Sequence, residues 1–273
     1  MSRSPSPNPL HGIKDEYLID GIRVERYTQL ELHHSTPLIL VHGGGQASWC
    51  WEDFAPVLLQ HGLEAHALNW RGRNGSAAIE PAQFLKASIT DVVMDIAAVA
   101  GQFDKPPILV GHSMGGLACQ LYAQDFPVKA LLLLTPVVPS QVNAPIIELA
   151  IDESISWGPL ELSMSRELFF QGLDDEQCAY FYPKLVPESP LRAFEATRWT
   201  LPVQIERIVM PTLIISGALD VLTPASTGQR LAELYGADYR LELDLGHNVL
   251  MGKRGQEVAQ SVVSWLRSHA CSR

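Results

Sequence analysis

One serine lies between glycines directly after an apolar run, in the stretch LVGHSMGG at residues 109–116. Its centre, GHSMG, matches the pattern G-x-S-x-G, which presents a serine hydroxyl on a sharp turn between a strand and a helix. The apolar run predicts the strand, and the residues after Met114 are compatible with a helix. The sequence therefore predicts that Ser113 is a nucleophile at a helix N-terminus, where the helix dipole favours developing negative charge. The alternative is a small residue in an ordinary glycine-rich loop.

A serine nucleophile needs a general base to take its proton and a third group to orient that base. In chains with this pattern an acid and a histidine follow the serine in the order Ser, Asp or Glu, His. Asp220 follows the apolar run TLIISG, and His247 follows the run YRLELD. A lone Asp in a loop is usually a turn former, and a lone histidine is usually structural. Because all three residues follow predicted strands in the required order, we predict a triad of Ser113, Asp220 and His247.

A run of three glycines follows another apolar stretch, in the sequence LILVHGGG at residues 38–45. Acyl transfer needs hydrogen-bond donors for the oxyanion of the tetrahedral intermediate, and backbone N–H groups of glycines can approach a substrate closely. We predict that the N–H groups of Met114 and Gly44 are these donors, with Gly43 or Gly45 as alternatives to Gly44. A flexible glycine loop is the competing interpretation.

Short apolar runs that alternate with segments of helical periodicity must position these residues. The runs lie at 38–41, 64–70, 108–111, 130–135, 212–217 and 239–244, and the predicted helices at 51–61, 86–103, 114–125, 224–235 and 256–269. Near-continuous apolar strands separated by helices predict an α/β fold, with a mainly parallel twisted sheet flanked by helices. Before them, the sequence YLIDGIRVERY predicts a hairpin that turns at Asp20 and Gly21.

The chain of 273 residues fits one large domain with an insertion. Residues 1–16 are predicted to form a flexible tail, and residues 17–139 and 203–273 the α/β core. Residues 140–202 contain many aromatic residues and prolines but no convincing core strand, so we predict a small helical cap above the sheet's carboxyl edge. Packing within the cap is the competing role for its aromatics. The candidate pocket residues are Gly43, Trp49, Trp157, Phe169, Phe170, Phe181, Val221 and Asn248.

Composition restricts the classes of partner and the compartment. The formal net charge of −10 and the pI near 5.3 argue against a nucleic-acid-binding surface, which needs clustered Lys and Arg. The cysteines are far apart and form no CxxC pair, so we expect neither a disulfide framework nor a metal site; they are Cys50, Cys119, Cys178 and Cys271. No apolar stretch resembles a signal peptide or an integral membrane segment, so we expect a cytoplasmic protein.

The motifs VHGGG, NWRGRNGS, LVGHSMGG, SGALDVLTP and LGHNVLM occur in the order typical of the α/β-hydrolase superfamily. The chain resembles its serine esterases and lipases and, more distantly, plant-type hydroxynitrile lyases and methylesterases, over residues 17–139 and 203–269. The segment at 166–190 is similar to the cap of bacterial esterases in this superfamily. The resemblance implies supporting hydrogen-bond roles for His42 and His112.

Departures from the relatives narrow the predicted activity. Family dehalogenases and epoxide hydrolases carry Asp at the nucleophile position, whereas this chain has Ser113. Hydroxynitrile lyases usually have Lys after the catalytic histidine, where this chain has Asn248. Prolyl aminopeptidases commonly have Trp after the nucleophile, where this chain has Met114. They also have acidic cap residues that bind the substrate amine. Three acidic residues keep that alternative open: Glu153, Glu161 and Glu195.

The sequence thus predicts a serine hydrolase that needs no cofactor and cleaves a carboxylic ester of a small to medium hydrophobic substrate through an acyl-enzyme on Ser113. A thioesterase or a lactonase with the same triad is one alternative. A catalytically weak ligand-binding receptor on the same fold is the alternative from another class.

Overall fold

An eight-stranded sheet lies at the centre of the computed structural model, which describes residues 13–29 and 36–269. The strands are β1 (Ile13–Ile19), β2 (Ile22–Thr28), β3 (Leu38–Val41), β4 (Ala65–Leu68), β5 (Ile108–His112), β6 (Ala130–Leu134), β7 (Thr212–Gly217) and β8 (Asp238–Glu242). The α-helices are α1 (Ala55–Gln60), α2 (Pro81–Phe84), α3 (Val92–Ala100), α4 (Met114–Ala123), α5 (Leu162–Leu168), α6 (Asp175–Phe181), α7 (Pro190–Arg198), α8 (Ala225–Tyr235) and α9 (Gly252–His269).

The sheet order is β1-β2-β4-β3-β5-β6-β7-β8, and the strands from β4 to β8 in that order pair in parallel. Side chains along β3 alternate between two apolar clusters: Leu38 and Leu40 join one, and Ile39 and Val41 the other. Helices α1 and α9 contribute to the first cluster, and α3, α4 and α8 to the second. Because both faces of the sheet are covered, its inner strands are mostly apolar. The predicted α/β class is confirmed.

The predicted elements differ from the structure mainly at their ends. Strands β3 and β7 have the predicted bounds, and the hairpin turns at Asp20 and Gly21, which have φ of 46° and 79°. The helix predicted at 86–103 begins as a 3-10 turn behind a capping box at Ser88, and α3 covers only its middle. The predicted tail at 1–16 is too long, because residues 13–16 already pair with β2 in β1. Residues 1–12 of that tail lie outside the described residues, as does Cys271.

The segment between β6 and β7 contains α5, α6 and α7 together with short 3-10 turns. Its one β-bridge among the described residues joins Trp157 to Glu188. The segment contacts the carboxyl edge of the sheet, where the Val186 N–H donates to the Gly45 carbonyl at 3.0 Å. Across the described ranges, no helix is long and apolar enough to cross a membrane, and no group of three or more His, Cys, Asp or Glu residues could hold a metal ion.

Candidate active site

Ser113 lies on a strained turn between β5 and α4. Its φ of 52° and ψ of −122° fall outside the regions that non-glycine residues usually adopt. The turn is held by the Ser113 N–H, which donates to the Leu134 carbonyl at 3.1 Å. At Gly115, a Cβ atom would lie 2.2 Å from the His42 carbonyl oxygen, so only glycine lets α4 begin this close to the end of β3.

Three side chains from separate loops meet at this turn. Ser113 Oγ lies 2.9 Å from His247 Nε2, and His247 Nδ1 lies 2.9 Å from Asp220 Oδ2. Asp220 follows β7, and His247 follows β8. Each of the three residues is at least nine-tenths buried. The predicted residues are therefore brought together in the geometry that a nucleophile, a base and an orienting acid require.

The loop after β7 surrounds the Asp220 carboxylate with donors. The N–H groups of Leu222 and Thr223 donate to its Oδ1 at 2.8 and 2.9 Å, and the Thr223 hydroxyl donates to Oδ2 at 2.6 Å. Burial alone would raise the pKa of Asp220, but the charge of His247 and these hydrogen bonds hold it below its usual value. Asp220 is therefore ionised at neutral pH and can hold the imidazole of His247 in one orientation.

The backbone carbonyl of His247 is held as well. It accepts hydrogen bonds from the Thr135 hydroxyl at 2.8 Å and from His112 Nε2 at 3.0 Å. Burial and the charge of His247 lower the pKa of His112 to about 3. Burial likewise lowers the pKa of His42, whose Nδ1 donates to the Gly43 carbonyl at 2.8 Å. Both histidines are neutral hydrogen-bond partners, and neither contacts Ser113 Oγ.

The glycine run after β3 contains one N–H group that has no acceptor among the described residues. The Gly43 N–H donates to Gln46 Oε1 at 3.2 Å, and the Gly45 N–H donates to Glu188 Oε2 at 3.0 Å. Within the described residues, the N–H groups of Gly44 and Met114 have no acceptor. Gly44 and Met114 line the same cavity as Ser113. The geometry thus favours Gly44 over its two neighbours as a donor to a bound oxyanion.

A cavity opens beside Ser113. The lining of the cavity is mostly apolar. Among the described residues that line it, His247 is the one with a titratable side chain. Such a cavity favours an uncharged, apolar substrate group. The lining residues are Gly44, Ser113, Met114, Val137, Leu149, Trp157, Phe169, Ala193, Ala196, Thr197, Leu222, Thr223 and His247.

Of the eight candidate pocket residues, the structure places Trp157 and Phe169 in the lining. Two other aromatics from the cap do not reach it: Phe170 and Phe181 are buried in the apolar cluster beneath. Trp49 is also elsewhere, because its ring stacks on Phe181 with 6.0 Å between ring centroids. The prediction that Phe170, Phe181 and Trp49 line the pocket is therefore wrong, because the packing of the cap on the core places their rings elsewhere.

Three further candidates lie beside the cavity without lining it. Gly43 packs against Ser113 and His112, where a Cβ atom would lie 2.9 Å from both His112 Nδ1 and Ser113 Cβ. Val221 is 49% exposed on the surface. Asn248 is buried, with its amide donating to the Phe169 carbonyl and its Oδ1 accepting from Gln46. Both polar groups of the Asn248 side chain therefore form hydrogen bonds within the protein and are not directed to a substrate.

One wall of the cavity was not predicted from the sequence: α7 forms it with Ala193, Ala196 and Thr197. Their spacing of three and four residues places them on one helix face, a signal that the sequence contained. The three acidic cap residues do not line the cavity. Glu195 accepts from the Ser88 hydroxyl at 2.7 Å and from the Ile89 N–H at 2.8 Å. These contacts turn its carboxylate away, which argues against an amine-binding site.

A family model described as the alpha/beta hydrolase family matches residues 38–261. The chain belongs to the alpha/beta hydrolase family. Among curated relatives of this chain, methylesterase 9 of Arabidopsis thaliana is 27% identical over 180 residues, which are 60% of this chain and 66% of that protein. Putative methylesterase 15 of the same plant is 31% identical over 134 residues, 47% of this chain and 26% of that protein. The chain thus spans less than two thirds of either relative.

Solved structures show the same fold as this alpha/beta hydrolase. A putative aryl esterase from Burkholderia cenocepacia superposes with a TM-score of 0.69 at 18% identity, covering 96% of this chain and all of that one. A methylesterase from Arabidopsis superposes with a TM-score of 0.68 at 17% identity, covering 86% of this chain and all of that one.

Proposed function

We propose that the chain is a serine hydrolase that cleaves a carboxylic ester of a small to medium hydrophobic substrate through an acyl-enzyme on Ser113. The observation that carries this proposal is the hydrogen-bonded series from Ser113 through His247 to Asp220 beside an apolar cavity. Membership of the alpha/beta hydrolase family supports it, as do relatives named methylesterases.

In the first half-reaction, His247 takes the hydroxyl proton as Ser113 Oγ attacks the acyl carbon. Asp220 holds the imidazole and stabilises its charged form. The carbonyl oxygen becomes an oxyanion that accepts hydrogen bonds from the N–H groups of Gly44 and Met114. When the tetrahedral intermediate collapses, the bond to the leaving oxygen breaks, and His247 gives that oxygen the proton.

In the second half-reaction, His247 takes a proton from water, whose oxygen attacks the acyl carbon of the acyl-enzyme. The bond to Ser113 Oγ then breaks, and the proton returns to the serine as the carboxylic acid leaves. Because Gly44 and Met114 donate through backbone groups, the oxyanion site needs no movement of a side chain. One such donor is worth about 10² to 10³ in turnover.

Replacement of the nucleophile tests the proposal. Ser113→Ala should lower hydrolysis of short p-nitrophenyl esters by about 10³-fold or more, because no nucleophile remains. Ser216→Ala is the matched control, since Ser216 is a buried serine of β7 outside the cavity lining. The control should keep wild-type rates. Wild-type rates in folded Ser113→Ala would contradict the proposal.

Covalent labelling and a substrate panel separate the remaining alternatives. A fluorophosphonate should form an adduct on Ser113 of the wild type, and its absence from folded protein would favour a ligand-binding receptor. Matched oxygen esters, thioesters and lactones of graded acyl length, compared by kcat/KM, distinguish an esterase from a thioesterase or a lactonase.

A further inference from the structure

A buried group of charges lies between the cap and the glycine run, outside the cavity lining. Glu188 of the cap is fully buried, and Arg73 and Arg192 beside it are less than a twentieth exposed. The Oε2 of Glu188 pairs with Arg73, and the Oε1 of Glu188 lies 3.5 Å from Arg192 Nη1. Both guanidinium groups lie over the ring of Trp70, at 5.2 and 5.1 Å from its centroid. Since burying charges is costly and often gives no net stability, this group calls for a functional explanation.

Glu188 holds one residue of the glycine run. Its Oε2 accepts the Gly45 N–H at 3.0 Å, and the Val186 N–H donates to the Gly45 carbonyl at 3.0 Å. Gly45 has a φ of +66°, a conformation that glycine enters and leaves without steric cost. A loop of three glycines does not define its own conformation, so these contacts from the cap fix it.

The residue before Gly45 is the proposed oxyanion donor. Any rotation of the backbone at Gly45 would move Gly44, which faces Ser113 and Met114 in the cavity. The backbone of Glu188 also pairs with Trp157, through hydrogen bonds of 2.9 and 2.8 Å. Because Trp157 lines the cavity, Glu188 connects the wall that would contact an acyl group to the loop that would bind its oxyanion.

The charge of this group suits that position. A carboxylate alone would oppose an oxyanion, and Glu188 Oε2 lies only 3.2 Å from the place of a Cβ atom on Gly44. Burial would raise the pKa of Glu188, but Arg73 and Arg192 hold it below its usual value. The carboxylate is therefore ionised, and two arginines against one glutamate leave the group with a net positive charge, which is compatible with a neighbouring oxyanion.

We propose that Glu188 is a positioning residue for the reaction: it anchors Gly45 so that the Gly44 N–H points at the oxyanion, and it couples this donor to the cap. The proposal rests on the proposed function, because the oxyanion exists only if Ser113 attacks a carbonyl carbon.

Two variants and one control test the role of Glu188. Glu188→Gln keeps the shape but removes the charge that holds Gly45. The double variant Glu188→Gln with Arg73→Met also preserves the net charge of the buried group, so it is the variant to rely on if the single one does not fold. Glu195→Gln is the matched control, since Glu195 is a buried cap carboxylate that also accepts a backbone N–H, at Ile89 rather than Gly45.

The measurement separates oxyanion binding from ordinary substrate binding. kcat and KM are measured with a short p-nitrophenyl ester, and inhibition constants with a trifluoromethyl ketone and the methyl ketone of the same chain length. The trifluoromethyl ketone forms a tetrahedral oxyanion on the serine, and the methyl ketone reports binding without one. Folding of each variant is checked by circular dichroism and thermal unfolding.

We expect kcat to fall about 10- to 100-fold in the Glu188 variants, less than for complete loss of a donor, with KM within about threefold. Affinity for the trifluoromethyl ketone should fall by a similar factor, while the methyl ketone and the Glu195→Gln control stay at wild-type values. If affinity for both ketones fell equally, or if the folded Glu188 variants had the kcat of Glu195→Gln, the role of Glu188 would be overturned and the proposed function would stand. A wild type that neither hydrolyses the ester nor reacts with a fluorophosphonate would overturn the proposed function and this role with it.

Discussion

His247 is held through its backbone as firmly as through its ring. Asp220 fixes Nδ1, while His112 and Thr135 both donate to the His247 carbonyl. In the proposed mechanism the imidazole must keep its distance to Ser113 Oγ during proton transfer, and each of these contacts limits its movement. His112 serves this purpose only as a neutral side chain, because a second positive charge beside His247 would oppose the protonated imidazole.

The neutrality of His112 predicts how stability depends on pH. Its pKa is about 3 in the folded chain, against an ordinary value of 6.5, so between these values the unfolded chain binds one more proton. The free energy of unfolding therefore falls as the pH is lowered from 6.5, by up to about 1.4 kcal/mol per pH unit from this group. His112→Gln should make this slope shallower by up to that amount.

Urea unfolding of the wild type and His112→Gln at several pH values between about 4.5 and 7.5 measures this slope. The difference at the highest pH gives the cost of the lost hydrogen bonds, because His112 is uncharged there in both states. If the free energies of unfolding of the wild type and His112→Gln changed equally with pH across this range, the prediction would be contradicted.

At the scale of elements, the turn between β5 and α4 depends on how closely α4 approaches the end of β3. Gly115 makes this approach possible, with the carbonyl groups of Val41 and His42 where a side chain would begin. The same approach sets the first N–H groups of α4 beside the glycine run that follows β3. Ser113 and the first N–H group of α4, which is one proposed oxyanion donor, are thus positioned by one contact between a helix and a strand.

Gly115→Ala should disrupt this contact. The added methyl meets backbone atoms, so we expect a loss of stability of about 1–3 kcal/mol and, from displacement of Ser113, a fall in kcat of about 10²-fold. Gly236→Ala is the control: Gly236 has a positive φ, of +61°, unlike Gly115, and a Cβ atom there meets nothing within 4 Å. It should cost about 1 kcal/mol and leave kcat unchanged. Equal activity of the two variants in kinetic assays would disprove this account.

At the scale of the whole molecule, the cavity is shared between the core and the segment between β6 and β7. The core supplies Ser113, His247 and Gly44, and the segment supplies Trp157 and the small residues of α7. The first set is suited to the chemistry, and the second limits the room for an acyl or alcohol group. We therefore expect changes in the cap to alter the preferred substrate more than the rate of the chemical steps.

Trp157→Ala should shift the preference toward longer acyl chains, because it removes a large side chain from the cavity wall. Each additional methylene that becomes buried is worth about 0.8 kcal/mol, or about fourfold in kcat/KM. Tyr180→Ala is the control, since Tyr180 is a cap aromatic that is 55% exposed and outside the lining. A series of p-nitrophenyl esters of graded acyl length measures the shift. An unchanged optimum in Trp157→Ala would refute it.

Much of the fold was predictable because its signals are local. Apolar runs mark the inner strands, and glycines mark the turns at their ends. The positions of Ser113, Asp220 and His247 followed from this pattern, since parallel strands bring their carboxyl ends to one edge of a sheet. The bounds of the helices were less predictable, because caps and 3-10 turns such as the one at Ser88 shorten them.

The sequence by itself determined the class of fold and which side chains lie at the edge of the sheet. Only the tertiary structure decided which residues face the cavity: Phe169 lines it, while its neighbour Phe170 is buried in the core. Glu188 carried no signal in the sequence, because Gly45 and Arg73 are 143 and 115 residues away along the chain. The strands follow from local patterns, but the path of the cap depends on packing between distant segments, and no local pattern encodes such contacts.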